Sequence, residues 1–199
     1  MSKKAVFDSA KTKIQRAFVV DKNEHVVSFG KDAVGNIILS DINRGNRYNG
    51  IIPAISNQFA DMHNHPGNSP PFSHDIYGLI DIVSHNSNYQ RFVITPDGTA
   101  YALIVTDIDA VKKFNMNYPR QRPVKGFEVR FPDNIIDEIR EAEFLAKGQK
   151  DIALVLILGK YNSGIALLKQ NADGNFTRVN AKESKGQLGE KIYIADNCK

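Results

Sequence analysis

The chain has 199 residues, 42% of them hydrophobic and 24% charged, with a formal net charge of +4 at pH 7; these values suit one water-soluble globular domain, or one domain with an appendage. Its basic residues are scattered among acidic ones, so the sequence gives little support to nucleic-acid binding. No apolar run approaches the roughly 18 residues of a membrane span, and no apolar segment follows the N-terminus as in a secretion signal, so we expect a cytoplasmic protein with no membrane partner.

The first part of the chain predicts one helix followed by short strands. Residues 5–18 space their apolar side chains at helical intervals and predict an amphipathic helix. Residues 24–30 and 36–40 predict the two strands of a hairpin, joined by a turn. The polar residues 44–50 predict a loop, and residues 58–62 predict a short buried strand that leads into a pair of histidines.

A second helix and a second hairpin follow. Ser73 comes after a proline-rich loop and is a natural N-cap for a helix. The apolar face of that helix consists of Ile76, Leu79, Ile80 and Val83. Residues 91–95 and 100–105 predict a hairpin around a Pro-Asp-Gly turn, and residues 107–114 predict a short helix.

Residues 118–123 are rich in proline and basic side chains and indicate a boundary. We therefore predict a core domain over residues 1–117 and a C-terminal extension over residues 118–199. Because strands and helices mix throughout the chain, the fold class is α/β or α+β.

Within the extension, residues 132–147 predict a helix that has Pro132 in its first turn and ends at Gly148. Residues 152–158 are a dense apolar run and predict a strand. Three more segments alternate like half-exposed strands, namely residues 164–169, 176–180 and 191–195.

The pattern that carries chemistry begins at His63 and His65. Two histidines at i and i+2 at the end of a strand point to the same face, so both can bind one metal ion. The only cysteine is Cys198, near the C-terminus, so other ligands must be histidines or carboxylates. A proline-rich loop reverses the chain, and the helix that opens at Ser73 returns the carboxylate of Asp75 toward the same ion. Two histidines, one carboxylate and an open position for water are typical of a catalytic zinc site.

The segment from His63 through Pro66, followed six residues later by Ser73 and an aspartate, resembles the HxHP…SxxD motif of the JAB/MPN (JAMM) zinc metallopeptidases. The sequence Pro-Pro-Phe-Ser-x-Asp-Ile at residues 70–76 is similar to that of bacterial JAB domains, and the turn at residues 95–99 also resembles one in that family. The resemblance covers residues 5–106. It implies a Zn²⁺ cofactor and a cytidine-deaminase-like fold, in which a curved, mostly antiparallel sheet is flanked by helices.

One departure from the motif concerns the third ligand. The family has two residues between the serine and the aspartate, whereas only His74 separates Ser73 from Asp75 here. Either Asp75 still binds, or His74 replaces it in a three-histidine site; Asp81 lies two helical turns further on and is too far to substitute. We favour Asp75.

The resemblance also implies catalytic roles for two residues. The family uses a glutamate from an earlier strand as general base, and Glu24 is the only glutamate before His63. Zinc lowers the pKa of a bound water to ~7, so that a nearby carboxylate can accept its proton. Ser73 would stabilise the oxyanion. We therefore expect a zinc-dependent hydrolase of amide bonds, a peptidase or isopeptidase acting on a protein or peptide substrate.

Two other functions stay open, namely a catalytically silent MPN-like module that binds a partner protein and a metal hydrolase that acts on a nucleotide or nucleic acid. Barrel amidohydrolases fit poorly because no histidine follows His85, and HNH nucleases fit poorly because their zinc-binding cysteines are missing. We interpret His25 and His85 as structural or surface residues, and Asn64 as a residue that holds the loop.

Overall fold

The structure is a computed structural model that describes residues 3–122 and 129–196. Cys198 and Pro123, the last residue of the predicted boundary segment, lie outside the described residues. The elements are α1 (Lys3–Asp21), β1 (His25–Lys31), β2 (Ile37–Leu39), β3 (Asn43–Arg44), β4 (Ala60–Asn64), α2 (Ser73–Val83), β5 (Gln90–Ile94), β6 (Ala100–Val105), α3 (Ile108–Asn117), α4 (Asp133–Leu145), α5 (Lys150–Lys160), β7 (Ile165–Gln170), β8 (Phe176–Arg178), β9 (Ala181–Lys185) and β10 (Lys191–Ala195).

The larger of the two sheets in the described part of the chain has eight strands. Its order is β2-β1-β4-β5-β6-β7-β8, and β3 pairs with β1 beside β2. β1 is antiparallel to β2, β3 and β4, β7 is antiparallel to β8, and β4 and β5 are parallel. The second sheet is the antiparallel pair β9 and β10. The prediction of a mixed α/β fold with a mostly antiparallel sheet is confirmed, while the JAB/MPN fold itself stays a prediction.

Two compact units make up the chain. Unit 1 consists of Met1–Pro70 and Asn88–Ala102, and unit 2 of Pro71–Ser87 and Leu103–Lys199. They are units of spatial compactness, and the predicted division into domains 1–117 and 118–199 stays a prediction. None of the helices in the described ranges has the length and hydropathy of a membrane-spanning segment.

Unit 1 is built from α1 and the strands around β1. The predicted first helix is confirmed, and it lies against β1, β2 and β4. Its buried side chains are Val6, Ala10 and Ile14, four residues apart, which is the spacing of one helical face. The sheet side of this core includes Phe92, whose ring meets the ring of Phe7 edge-on at 5.2 Å. Burial of this stripe fixes α1 on the strands that lead to the histidine pair.

In unit 2, α2 and α3 pack around three buried aromatic rings. Tyr77 of α2 lies 5.5 Å from Phe131, and Phe114 of α3 lies 6.2 Å from it, measured between ring centroids. The Tyr77 hydroxyl donates a hydrogen bond to the carbonyl oxygen of Tyr118 at 2.5 Å. These contacts fix α2, which carries Asp75 at its beginning.

The predicted strand over residues 152–158 is wrong, because these residues lie inside α5. A segment that is apolar at nearly every position shows neither the helical nor the strand period, so its pattern cannot decide between the two. In the structure, Val155 and Leu156 are half-buried. The buried positions follow helical spacing and are Ile152, Ala153, Leu154, Ile157 and Leu158.

The remaining predictions for the extension are largely confirmed. α4 runs from Asp133 to Leu145, so Pro132 is its N-cap rather than part of its first turn, and Ala146 is its C-cap. Gly148 follows with a φ of +81°, a conformation that glycine adopts readily. The strands predicted at residues 164–169, 176–180 and 191–195 appear as β7, β8 and β10. β9 escaped prediction because its sequence, Ala-Lys-Glu-Ser-Lys, has low β-propensity, and its pairing with β10 stabilises it instead.

Candidate metal centre

β4 brings two histidines to one face of the sheet. His63 is paired with Val26 of β1, and His65 follows it by two residues, directly after β4. The Nε2 atoms of the two histidines are 3.2 Å apart. Two imidazoles bound to a tetrahedral zinc ion would have their nitrogens about 3.3 Å apart, given Zn–N bonds of about 2.0–2.1 Å. The pair is therefore spaced as two ligands of one ion.

A polar partner lies beside Nδ1 of each imidazole ring. His65 Nδ1 is 3.0 Å from the carbonyl oxygen of Ser69, which can only accept, so Nδ1 carries the proton and Nε2 keeps its lone pair. His63 Nδ1 faces Asp61 Oδ1 at 3.6 Å, an arrangement that also favours a proton on Nδ1. Both side chains are buried. Such outer partners of histidine ligands are a regular feature of metal sites.

Asp61 forms a buried ion pair with Arg91. The two residues are register partners in the parallel strands β4 and β5, and Arg91 Nε and Nη2 each lie 3.2 Å from Asp61 Oδ2. Burial raises the pKa of the Asp61 carboxyl, but the charge of Arg91 and the contact with His63 outweigh it and hold that pKa below its ordinary value. This pair escaped prediction, although each of the two strands carries its charged residue at the second position, which was a usable signal.

Replacing Asp61 by asparagine should weaken zinc binding by roughly 10–100-fold, the usual effect of removing an outer partner of a histidine ligand. Competition with a chromophoric chelator measures this affinity. The change also removes the carboxylate that pairs with the buried Arg91 guanidinium, which destabilises a protein strongly. A double variant, Asp61→Asn with Arg91→Met, controls for that: it should recover thermal stability but not zinc affinity. Full affinity in the single variant would contradict the orienting role of Asp61.

The start of α2 differs from the prediction. Ser73 is the first helical residue rather than the N-cap, and the N-cap is Phe72. The reason is that Asp75 reaches back, and its Oδ2 accepts a hydrogen bond from the Phe72 N–H at 2.8 Å, which satisfies the helix start. The Ser73 hydroxyl instead donates to the carbonyl oxygen of Val129 at 3.4 Å. The other Asp75 oxygen, Oδ1, lies 3.2 Å from His74 Nε2.

Four residues form a group that could hold a metal ion. Each offers one ligand atom, and all of these atoms lie within 4.8 Å of one another; the residues are His63, His65, His74 and Asp75. The group contains the three predicted ligands, together with the histidine that the sequence offered as an alternative third ligand. Imidazole nitrogens with a carboxylate oxygen suit zinc among other divalent metals. Asp75 is fully buried and does not face solvent.

No family model matches the chain, and the comparison with curated proteins found no match. The JAB/MPN resemblance therefore depends on the motif residues alone and stays a prediction. The arrangement of the side chains is the remaining source of functional information.

Glu24 lies on the strand face that carries His63. It precedes Val26 by two residues, and Val26 is the register partner of His63, so the three side chains share one face. The Glu24 side chain is buried. A Cβ on Gly50 would lie 2.3 Å from Val26 Cγ2 and 3.4 Å from Glu24 Oε1, so only glycine allows the loop to lie this close. The loop backbone therefore covers Glu24 on that face.

Asn64 holds the backbone on both sides of Glu24. Its Oδ1 accepts a hydrogen bond from the His25 N–H at 2.8 Å, and its Nδ2 donates to the Asn23 carbonyl oxygen at 3.1 Å. The sequence predicted that Asn64 holds the loop after the histidines. Its bonds run instead to the segment before β1, where they fix the position of Glu24.

The other polar residues weighed above serve structural roles. His25 is buried, with Nε2 3.3 Å from Asp21 Oδ2 and Nδ1 3.0 Å from the Asn23 carbonyl oxygen. His85 is exposed. Asp81 forms an ion pair with Arg120 on the outer side of α2, with Nη1 to Oδ2 at 2.7 Å. The interpretation of His25 and His85 as structural or surface residues is confirmed.

A polar clamp ties the loop after the histidines to the turn between β5 and β6. Asn68 Nδ2 donates to Asp97 Oδ2 at 3.2 Å, and the Asp97 N–H donates to Asn68 Oδ1 at 3.3 Å. The Thr95 hydroxyl and the Thr99 N–H both donate to Asp97 Oδ1. These bonds, with that from Thr95 the strongest, lower the pKa of Asp97 to about 2.

Replacing Asp97 by asparagine should destabilise the protein at neutral pH but not below about pH 2. Because the folded-state pKa is depressed from 3.8, the ionised carboxylate stabilises the fold above that value, and the contribution is lost as the pH falls through about 2. Thermal melts of metal-free protein across this range measure the difference. Asp41→Asn, at an exposed position, is the control. A difference that persists below about pH 2 would contradict the assignment.

Proposed function

We propose that this protein is a zinc-dependent hydrolase of amide bonds in peptides or proteins, with His63, His65 and Asp75 as the metal ligands. The observation that carries the proposal is the spacing of the two histidine Nε2 atoms, 3.2 Å, within a group that also contains the buried carboxylate. The resemblance to JAB/MPN metallopeptidases supports the same reaction class.

The chain's own residues fit the chemistry of amide hydrolysis. A zinc ion held by this group would act as a Lewis acid and lower the pKa of a water molecule to about 7. Glu24 is the proposed general base: it accepts a proton from the attacking water and delivers it to the amide nitrogen as the C–N bond breaks. Burial under the loop excludes bulk water from Glu24.

Ser73 is the proposed oxyanion donor. Its hydroxyl is buried, and its hydrogen bond to Val129 is long, at 3.4 Å, so a modest rotation about the Cα–Cβ bond can redirect the proton. A donor aimed at the developing charge on the carbonyl oxygen stabilises the transition state.

One observation favours a second candidate, a catalytically silent module with a structural metal. The group offers four ligand atoms, and zinc sites with four protein ligands are structural, whereas catalytic sites keep a position open.

Metal analysis combined with a peptidase assay tests both candidates. Protein purified without added zinc should contain about one zinc per chain, as a site with three protein ligands predicts. It should also cleave members of a fluorescence-quenched peptide library, lose that activity on treatment with a chelator, and regain it with zinc. Bound zinc without cleavage would support the silent module. Absence of metal would contradict both.

A further inference from the structure

The group has one ligand more than a zinc hydrolase needs. His74 precedes Asp75 in the first turn of α2, and its imidazole belongs to the same set of atoms as the other three ligands. We propose that His74 is a displaceable fourth ligand, which closes the metal's open position in the resting protein and leaves it when substrate binds. The proposal rests on the function proposed above and adds a mode of regulation to the same site.

Buried contacts hold His63, His65 and Asp75 in place. His65 is held through the Ser69 carbonyl oxygen, and His63 faces the Asp61 carboxylate. The third anchored ligand, Asp75, is bonded through one oxygen to the Phe72 N–H and is completely buried. Moving any of these side chains would break the start of α2 or disturb buried polar contacts.

His74 differs from these three in its exposure. Its side chain is 27% exposed, compared with 6% for His63 and 0% for Asp75. A partly exposed side chain at a helix start can change its χ1 rotamer toward solvent without opening the core. Among the four ligands, His74 is therefore the one that can leave at the smallest cost in free energy.

The exchange is a simple ligand substitution. The bond from the metal to the neutral imidazole nitrogen breaks, and a bond from the metal to a water or carbonyl oxygen forms. No electron transfer and no further reactant are required. In the resting state such a site is shielded from small anions, which must compete with the imidazole.

Azide binding to the cobalt-substituted protein tests the proposal. The d–d absorption of Co²⁺ reports coordination number, and azide is the probe that takes the open position. His74→Gln should bind azide at least about tenfold more tightly than wild type, because a site that is open only a tenth of the time has a tenfold weaker apparent affinity. His85→Gln is the matched control: it replaces an exposed histidine just beyond α2 and should behave as wild type.

X-ray absorption of the zinc-loaded wild-type protein gives a measurement without substitution. It should count three imidazoles at rest and two after azide is added. Equal azide affinity in wild type and His74→Gln, or two imidazoles at rest, would overturn the role of His74 and leave the three-ligand hydrolase intact.

Two further outcomes separate the proposals. If His74→Gln retains its fold but no longer binds metal, His74 is a permanent structural ligand, and the displaceable role is overturned. If the wild-type protein itself binds neither zinc nor cobalt, both the proposed function and this inference are wrong.

Discussion

Replacing His63 or His65 by alanine should reduce the zinc content of the purified protein from about one equivalent to nearly none. Each substitution removes one of two imidazoles whose Nε2 atoms are 3.2 Å apart, as two ligands of one ion would be. The ligands that remain, one histidine, Asp75 and the displaceable His74, cannot provide the same preorganisation. The effect should exceed that of His74→Gln for this reason.

Atomic absorption on extensively dialysed protein measures the zinc content directly. His85→Ala is the control, because it removes an exposed imidazole from the chain without touching the group. Circular dichroism confirms that each variant is folded. Full zinc content in both His63→Ala and His65→Ala would place the metal elsewhere and remove the basis of the proposed function.

Replacing Glu24 by glutamine should reduce turnover by a factor on the order of 10²–10⁴, the usual contribution of a positioned general base. Glutamine keeps the size and much of the hydrogen bonding of glutamate but cannot accept a proton. Zinc content and thermal stability should stay close to those of wild type, because Glu24 is proposed as a base and not as a ligand.

Steady-state cleavage of the best substrate from the peptide library measures the effect on turnover. Glu141→Gln, a substitution of the same kind at an exposed position of α4, should leave turnover unchanged. Loss of zinc in Glu24→Gln would make Glu24 a ligand. Unchanged turnover with unchanged zinc would show that it takes no part in catalysis.

Local patterns predicted most of the secondary structure. α1 shows its buried face as Val6, Ala10 and Ile14, and the strands around the histidines carry clear turn signals on both sides. The prediction failed where the apolar residues show no periodicity, as in α5, where they occupy nearly every position. It also failed at β9, where pairing with β10 outweighs local propensity.

The ligand residues could be predicted because their spacing is local, and the residues that orient them could not. His63 and His65 are two positions apart, whereas the Asp61–Arg91 pair depends on the register of two strands that are separated by α2 in the sequence. The N-cap was misassigned because Ser73 has a high capping propensity, yet Asp75 satisfies the helix start from inside the first turn. Which of these two side chains bonds the backbone N–H groups at the helix start depends on the folded geometry and not on capping propensity alone.

With a metal bound, the double use of the Asp75 carboxylate would link metal release to local unfolding. One oxygen, Oδ2, accepts a hydrogen bond from the Phe72 N–H at the start of α2. The other, Oδ1, lies 3.2 Å from Nε2 of the neighbouring His74. By thermodynamic linkage, an ion bound to this carboxylate would stabilise the first helical turn by the same free energy that the intact turn contributes to binding. A chelator would then act as a local denaturant of α2, and a substitution that merely frays the helix start would weaken metal binding without altering any ligand.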